Sequence, residues 1–78
     1  MSDGNGDGVE LSERECEIVL LLADGYTNVE IADELALSRR TVDWYRARLR
    51  DKLGVTRRSE LVRFAREQLG WPDARRQA

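Results

Sequence analysis

The side chains with the most chemistry to offer are arginines. Between Ser38 and Arg66 ten bases stand against only Asp43, Asp51 and Glu60, a net of +7. Guanidinium and ammonium groups at that density suit the phosphate oxygens of a polyanion, and on charge alone a solvated helix face is an equal reading. Residues 1–37 are the reverse, with ten acids and the single base Arg14. The net charge of −2 therefore hides a division along the chain, and an acidic half can face away from a polyanion or repel wrong partners. Covalent chemistry has little to work with. There is no histidine, the lone Cys16 lies in an apolar helical run without an evident base, and no glycine loop that could cradle a phosphate is present. No enzyme and no cofactor are expected. Asp3, Asn5, Asp7 and Gly8 match the start of a calcium-binding loop, but the twelfth loop position is Arg14 where a bidentate Glu is required. Only two residues come before that loop, too few for its leading helix, so a flexible arm is expected there and no metal site.

Groups on one surface must be held by a scaffold, and 78 residues suffice for one domain around one small core. The 41 % of hydrophobic residues support a globular fold, and no apolar run approaches the roughly 20 residues that cross a bilayer. Cys16 has no partner for an internal disulfide, and no basic start followed by an apolar stretch marks a secretory signal. A soluble protein of the reducing cytoplasm, without membrane contact, is expected.

The scaffold reads as all-α, a four-helix bundle containing a helix-turn-helix. Ser12 with Glu15 forms a capping box that opens a helix running to Asp24, with Gly25 just past its end. Ile18, Val19, Leu21 and Leu22 are its buried side. Thr27 with Glu30 repeats the box and opens a shorter helix, with Val29, Ile31, Ala32 and Leu35 available to pack inward. Ser38 caps the third, where Val42, Tyr45, Leu49 and Leu53 recur at helical spacing up to Gly54. Thr56 can cap a fourth, carrying Leu61, Phe64, Ala65 and Leu69 to the stop at Gly70. Three parts follow: a mobile arm over 1–10, a domain over 11–70 and a frayed tail over 71–78.

If the third helix turns Val42, Tyr45, Leu49 and Leu53 inward, Arg40, Asp43, Trp44 and Ala47 lie opposite, flanked by Arg39, Arg46 and Arg50. An aromatic as large as Trp44 is by propensity a core residue. The register argues otherwise, because turning it inward would turn Val42 and Leu49 out. Arg39 and Arg40 stand in a first turn where the helix dipole favours acids, and a phosphate docked there would answer both the arginines and the open backbone N–H groups.

The stretches L-S-E-R-E-C-E-I-V from Leu11, D-G-Y-T-N-V-E-I-A from Asp24, L-S-R-R-T-V from Leu37, K-L-G-V from Lys52 and R-S-E-L-V-R-F-A from Arg58 resemble the LuxR/FixJ-type helix-turn-helix domain, in order and with matching gaps over roughly residues 11–69. The resemblance implies a bacterial transcription regulator that binds double-stranded DNA, its third helix (about 39–53) in the major groove, acting as a homodimer on DNA at the bacterial nucleoid. Such domains are usually fused to a receiver or ligand-sensing domain. Base reading falls to Arg40, Asp43, Trp44 and Ala47: Arg40 suits guanine O6 and N7, and an exposed Trp44 suits thymine methyls. Backbone contacts fall to Thr27, Asn28, Ser38, Arg39, Thr41, Arg46, Arg50 and Lys52, with helix capping a second role for Thr27 and Ser38. On the fourth helix Val62, Arg66 and Leu69 are the expected dimer contact. Cys16 and Leu20, four apart on the first helix, make a small apolar patch that is either ordinary surface or a docking point for a sensor domain or second protomer.

Three residues depart from the family. Tyr45 is a packing change. Asp43 puts a carboxylate where a lysine is usual, which either selects cytosine through its N4 amino group or weakens binding. Ala36 often corresponds to Gly, at a cost of about 1 kcal/mol if the turn is left-handed there. Two rivals remain from sequence: the related promoter-reading domain of a sigma factor, disfavoured by the Gly54-Val55 turn and the fourth helix, and a protein-interaction module that keeps the fold without DNA.

Overall fold

In the computed structural model, which describes residues 10–73, each helix begins where a side chain can take over its first backbone N–H groups. Helix α1 (Glu13–Ala23) starts at Ser12, whose Oγ accepts from the Glu15 N–H at 3.1 Å while the Ser12 N–H donates to Glu15 Oε1 at 2.9 Å. The Thr27–Glu30 pair does the same for α2 (Asn28–Leu35), at 3.2 and 2.9 Å. Ser38 caps α3 (Arg39–Leu53) through the Thr41 N–H at 3.0 Å. Helix α4 (Arg58–Leu69) corrects the expected start: its N-cap is Arg57, not Thr56. An arginine side chain has no acceptor to offer. Glu60 serves instead, its Oε1 accepting from the N–H groups of Thr56 and Arg57 at 2.9 and 3.2 Å.

The helix ends are equally local. Gly25, Gly54 and Gly70 all have positive φ, as does Ala36 at φ 57° and ψ 44°. Ala36 therefore occupies the left-handed conformation that its side chain resists, and the turn between α2 and α3 is of the demanding kind. In the sharp reversal the N–H groups of Ala36 and Leu37 reach back to Asp33 and Ala32, which satisfies carbonyls that the helix end leaves open.

No strand occurs among the described residues, and the four helices enclose one core. Ile18, Val19, Leu21 and Ala23 of α1, Ile31 and Ala32 of α2, Val42 and Leu49 of α3 and Leu61 and Ala65 of α4 are its buried members. Tyr45, Leu53, Phe64 and Leu69 pack at its margin. Val29, expected to face inward, is instead 50 % exposed on the first turn of α2. It lies only two positions from buried Ile31, which on a helix puts it on another face. Helix α1 packs chiefly on α4, and α2 on α3. Two polar ties join the first pair: the Arg58 guanidinium donates to the Ala23 carbonyl at 2.9 Å, and the Trp71 indole N–H to Asp24 Oδ1 at 2.7 Å. Trp71, assigned from sequence to the tail, thus packs against the core. Residues 1–9 of the arm expected over 1–10, with the calcium-like Asp3, Asn5, Asp7 and Gly8, and residues 74–78 of the tail expected over 71–78 lie outside the described residues.

Candidate nucleic-acid interface

Helix α3 is buried along one side only. Val42 and Leu49 are buried, whereas Arg40, Asp43, Trp44 and Ala47 are exposed on the opposite side. The side-chain period of the helix alone dictates this division. Trp44 is 56 % exposed, in agreement with the register argument and against the propensity of a large aromatic. Its ring meets Tyr45 edge to face, centroids 5.1 Å apart at 78°.

Both flanks of this surface are braced. On one side, Asn28 at the start of α2 donates from Nδ2 to Asp43 Oδ1 and accepts at Oδ1 from Arg46. Asp43, Asn28 and Arg46, three residues singled out separately from sequence, form one chain of hydrogen bonds, and a hollow lined by Asn28, Val29, Arg39, Arg40 and Asp43 opens beside it. The Asp43 carboxylate is thus partnered within the protein.

The other brace is Glu15, only 3 % exposed. Its carboxylate caps α1 and also accepts from Lys52 Nζ at 2.8 Å and Arg48 Nε at 3.2 Å. Burial pushes the Glu15 carboxyl up. The hydrogen bonds from Lys52, the Ser12 backbone and Arg48, with the Lys52 charge, outweigh that and leave it below the usual carboxylate value. Lys52 was placed with the backbone-contact residues on sequence grounds. Its ammonium donates to Glu15 at 2.8 Å and to the Glu10 carbonyl at 3.2 Å. The Arg48 guanidinium lies 5.3 Å from the Trp44 ring centroid, so it holds Glu15 and covers the indole together.

The first turn of α3 contains no acid. Arg39 and Arg40 are exposed there, and Ser38 Oγ both caps Thr41 and donates to its Oγ1 at 2.9 Å. Thr27 likewise acts as a cap. Arg50 is exposed on α3, and with Arg46, Arg57 and Arg58 it lines a cleft floored by Leu22, Leu49 and Leu61. On α4, Val62 and Leu69 are half-buried and Arg66 is exposed. Half-buried Cys16 is a poor nucleophile, since burial and the charges of Glu15, Glu13 and Glu17 push its thiol up.

Sequence reasoning missed Glu15 as a brace, Arg48 as its partner and Val29 as surface. The capping box revealed Glu15, but its partners lie 33 and 37 residues away, where no local pattern reaches.

The family model described as bacterial regulatory proteins, luxR family, matches residues 9–65. The response regulatory protein YgeK of Escherichia coli is 48 % identical over 56 residues, 72 % of this chain and 38 % of that protein. The oxygen regulatory protein NreC of Staphylococcus aureus is 46 % identical over 55 residues, 70 % of this chain and 25 % of NreC. The chain thus spans well under half the length of these relatives. Among solved structures, the Vibrio cholerae VqmA dimer without its target DNA matches with a TM-score of 0.69 at 34 % identity, covering 80 % of this chain and 28 % of that one. A VqmA–ligand–DNA complex gives 0.65 at 32 %, covering 83 % and 28 %.

Proposed function

Because the chain belongs to the luxR family of bacterial regulatory proteins, we propose that it is the double-stranded-DNA-binding domain of a transcription regulator, with α3 in the major groove. One observation carries the reading: an α3 surface that exposes Arg40, Asp43, Trp44 and Ala47 above a buried apolar side, with an acid-free first turn at its tip. A major groove about 12 Å wide admits such a helix, and each base pair presents a distinct pattern there.

Arg40 reads guanine through O6 and N7, while Trp44 and Ala47 contact thymine methyls. Arg39, Arg46 and Arg50, with Thr27, Asn28, Ser38 and Thr41 at the helix starts, hold the phosphates and set the register. Lys52 leaves this set because Glu15 holds it. Asp43 acts from within its pair with Asn28: either it turns to cytosine N4, or it keeps Asn28 and Arg46 in place and lowers overall affinity. Two copies meet through α4 at Val62, Arg66 and Leu69, which matches a two-fold DNA site to a two-fold protein. The cellular setting is the cytoplasm at the nucleoid, with a receiver or sensor domain as the natural neighbour in a longer chain.

The test is to titrate the protein against a pool of random duplex DNA at low and moderate salt and to sequence what is retained. A two-fold related site whose enrichment disappears with Arg40→Ala supports the reading. No retention at low salt and high protein concentration transfers it to a protein-interaction module, for which exposed Val29 and Trp44 would be the apolar anchors.

A further inference from the structure

The chain of contacts that starts at buried Glu15 does not stop at Arg48. Glu15 Oε2 accepts from Arg48 Nε at 3.2 Å, and the same guanidinium sits 5.3 Å from the centroid of the Trp44 ring. Trp44 and Arg48 are four apart on α3 and so share a face of the helix. An exposed tryptophan on a helix is ordinarily free to exchange rotamers. Here its ring is covered by a planar cation and packs in a T-shaped contact with Tyr45. The cation is in turn fixed to a carboxylate that the α1 capping box holds still.

We infer that Arg48 is a positioning residue: it fixes the indole of Trp44 in one orientation on the α3 surface and is itself held by Glu15. Arg48 need not touch DNA to affect what is read. A ring held in one rotamer meets a thymine methyl at one base step, whereas a ring that exchanges rotamers spreads that contact and loses the distinction. Lys52, beside Arg48 on the same carboxylate, leaves Glu15 partnered when Arg48 is removed. Substitution at the half-exposed Arg48 is therefore tolerable to the fold.

Two readouts test this, and only the second rests on the proposed DNA reading. In a Trp71→Phe background Trp44 is the one remaining tryptophan, and its time-resolved fluorescence anisotropy reports ring motion in the free protein. Arg48→Met keeps the aliphatic stem and removes the cation. Arg48→Gln keeps a hydrogen bond for Glu15 but likewise places no charge over the ring. Both should enlarge the sub-nanosecond depolarisation of Trp44 while the helical circular dichroism stays unchanged. An unchanged decay in either folded variant overturns the inference, whether or not the protein binds DNA.

The second readout replaces thymine by uracil, one position at a time, in the duplex retained from the random pool. Loss of one buried methyl should weaken the wild type by about fourfold at the position under Trp44. In Arg48→Met that ratio should fall toward one. A ratio that stays at the wild-type value would overturn the inference. Failure of every duplex to bind would count against the DNA reading alone, with the anisotropy still deciding the role of Arg48.

Discussion

Arg40 and Arg50 stand on one helix, yet their loss should read differently. Arg40 is exposed opposite the core, where base edges would lie, so Arg40→Ala should relax sequence choice at one position of the selected site by about 1–3 kcal/mol. Arg50 flanks that surface, so Arg50→Ala should weaken all duplexes alike and reduce the salt slope of log K by about 0.9. Binding isotherms on matched and mismatched duplexes at several salt concentrations separate the two; equal relaxation of sequence choice in both variants would contradict the assignment. Sequence alone placed Trp44 outside, because turning it inward would have displaced two apolar neighbours. It could not show that Asp43 and Arg46 share Asn28, since that juxtaposition depends on where α2 crosses α3 and not on any spacing within either helix.

The capping boxes made the starts of α1 and α2 legible, because a cap is a contact three residues long and lies wholly within a sequence window. The start of α4 was misread for the same reason inverted. Thr56 looked like a cap, but Glu60 reaches back to the N–H groups of both Thr56 and Arg57 and shifts the helix start by one residue. Ala36 was recognised as a problem only if its turn were left-handed, and it is. Ala36→Gly should therefore stabilise the domain by about 0.5–1 kcal/mol in denaturant unfolding, and a loss of stability would contradict that account. Glu15 couples α1 to α3, and its carboxyl lies below the ordinary value of 4.5 in the folded state. A lowered acid contributes stability that is complete above its unfolded value and is lost as pH falls through the folded one. Wild-type stability should thus decline below about pH 4.5, and Glu15→Gln should flatten that decline while lowering stability near pH 7. Parallel pH profiles for the two proteins would contradict the bracing role.

For the molecule as a whole, the charge division seen in the sequence becomes a division in space only in part. The exposed arginines of α3 form one surface, but Lys52 and Arg48 turn to Glu15, so fewer cations face a polyanion than the composition suggests. Each phosphate neutralised should contribute about 0.9 to the salt slope, and Lys52→Met should leave that slope unaltered while lowering stability; a reduced slope would return Lys52 to the phosphate contacts. The four-helix fold was legible because its core repeats every three or four residues, whereas the ties between distant helices have no such period. Among those ties, two reach the same end of α1: Arg58 from the start of α4 to the Ala23 carbonyl, and Trp71 from beyond its end to Asp24. Peeling α4 away from either end must break one of them. Local opening of α4 then removes a partner from the end of α1, and the amide hydrogens of α4 and of the last turn of α1 should exchange with solvent as one unit, at a common opening free energy.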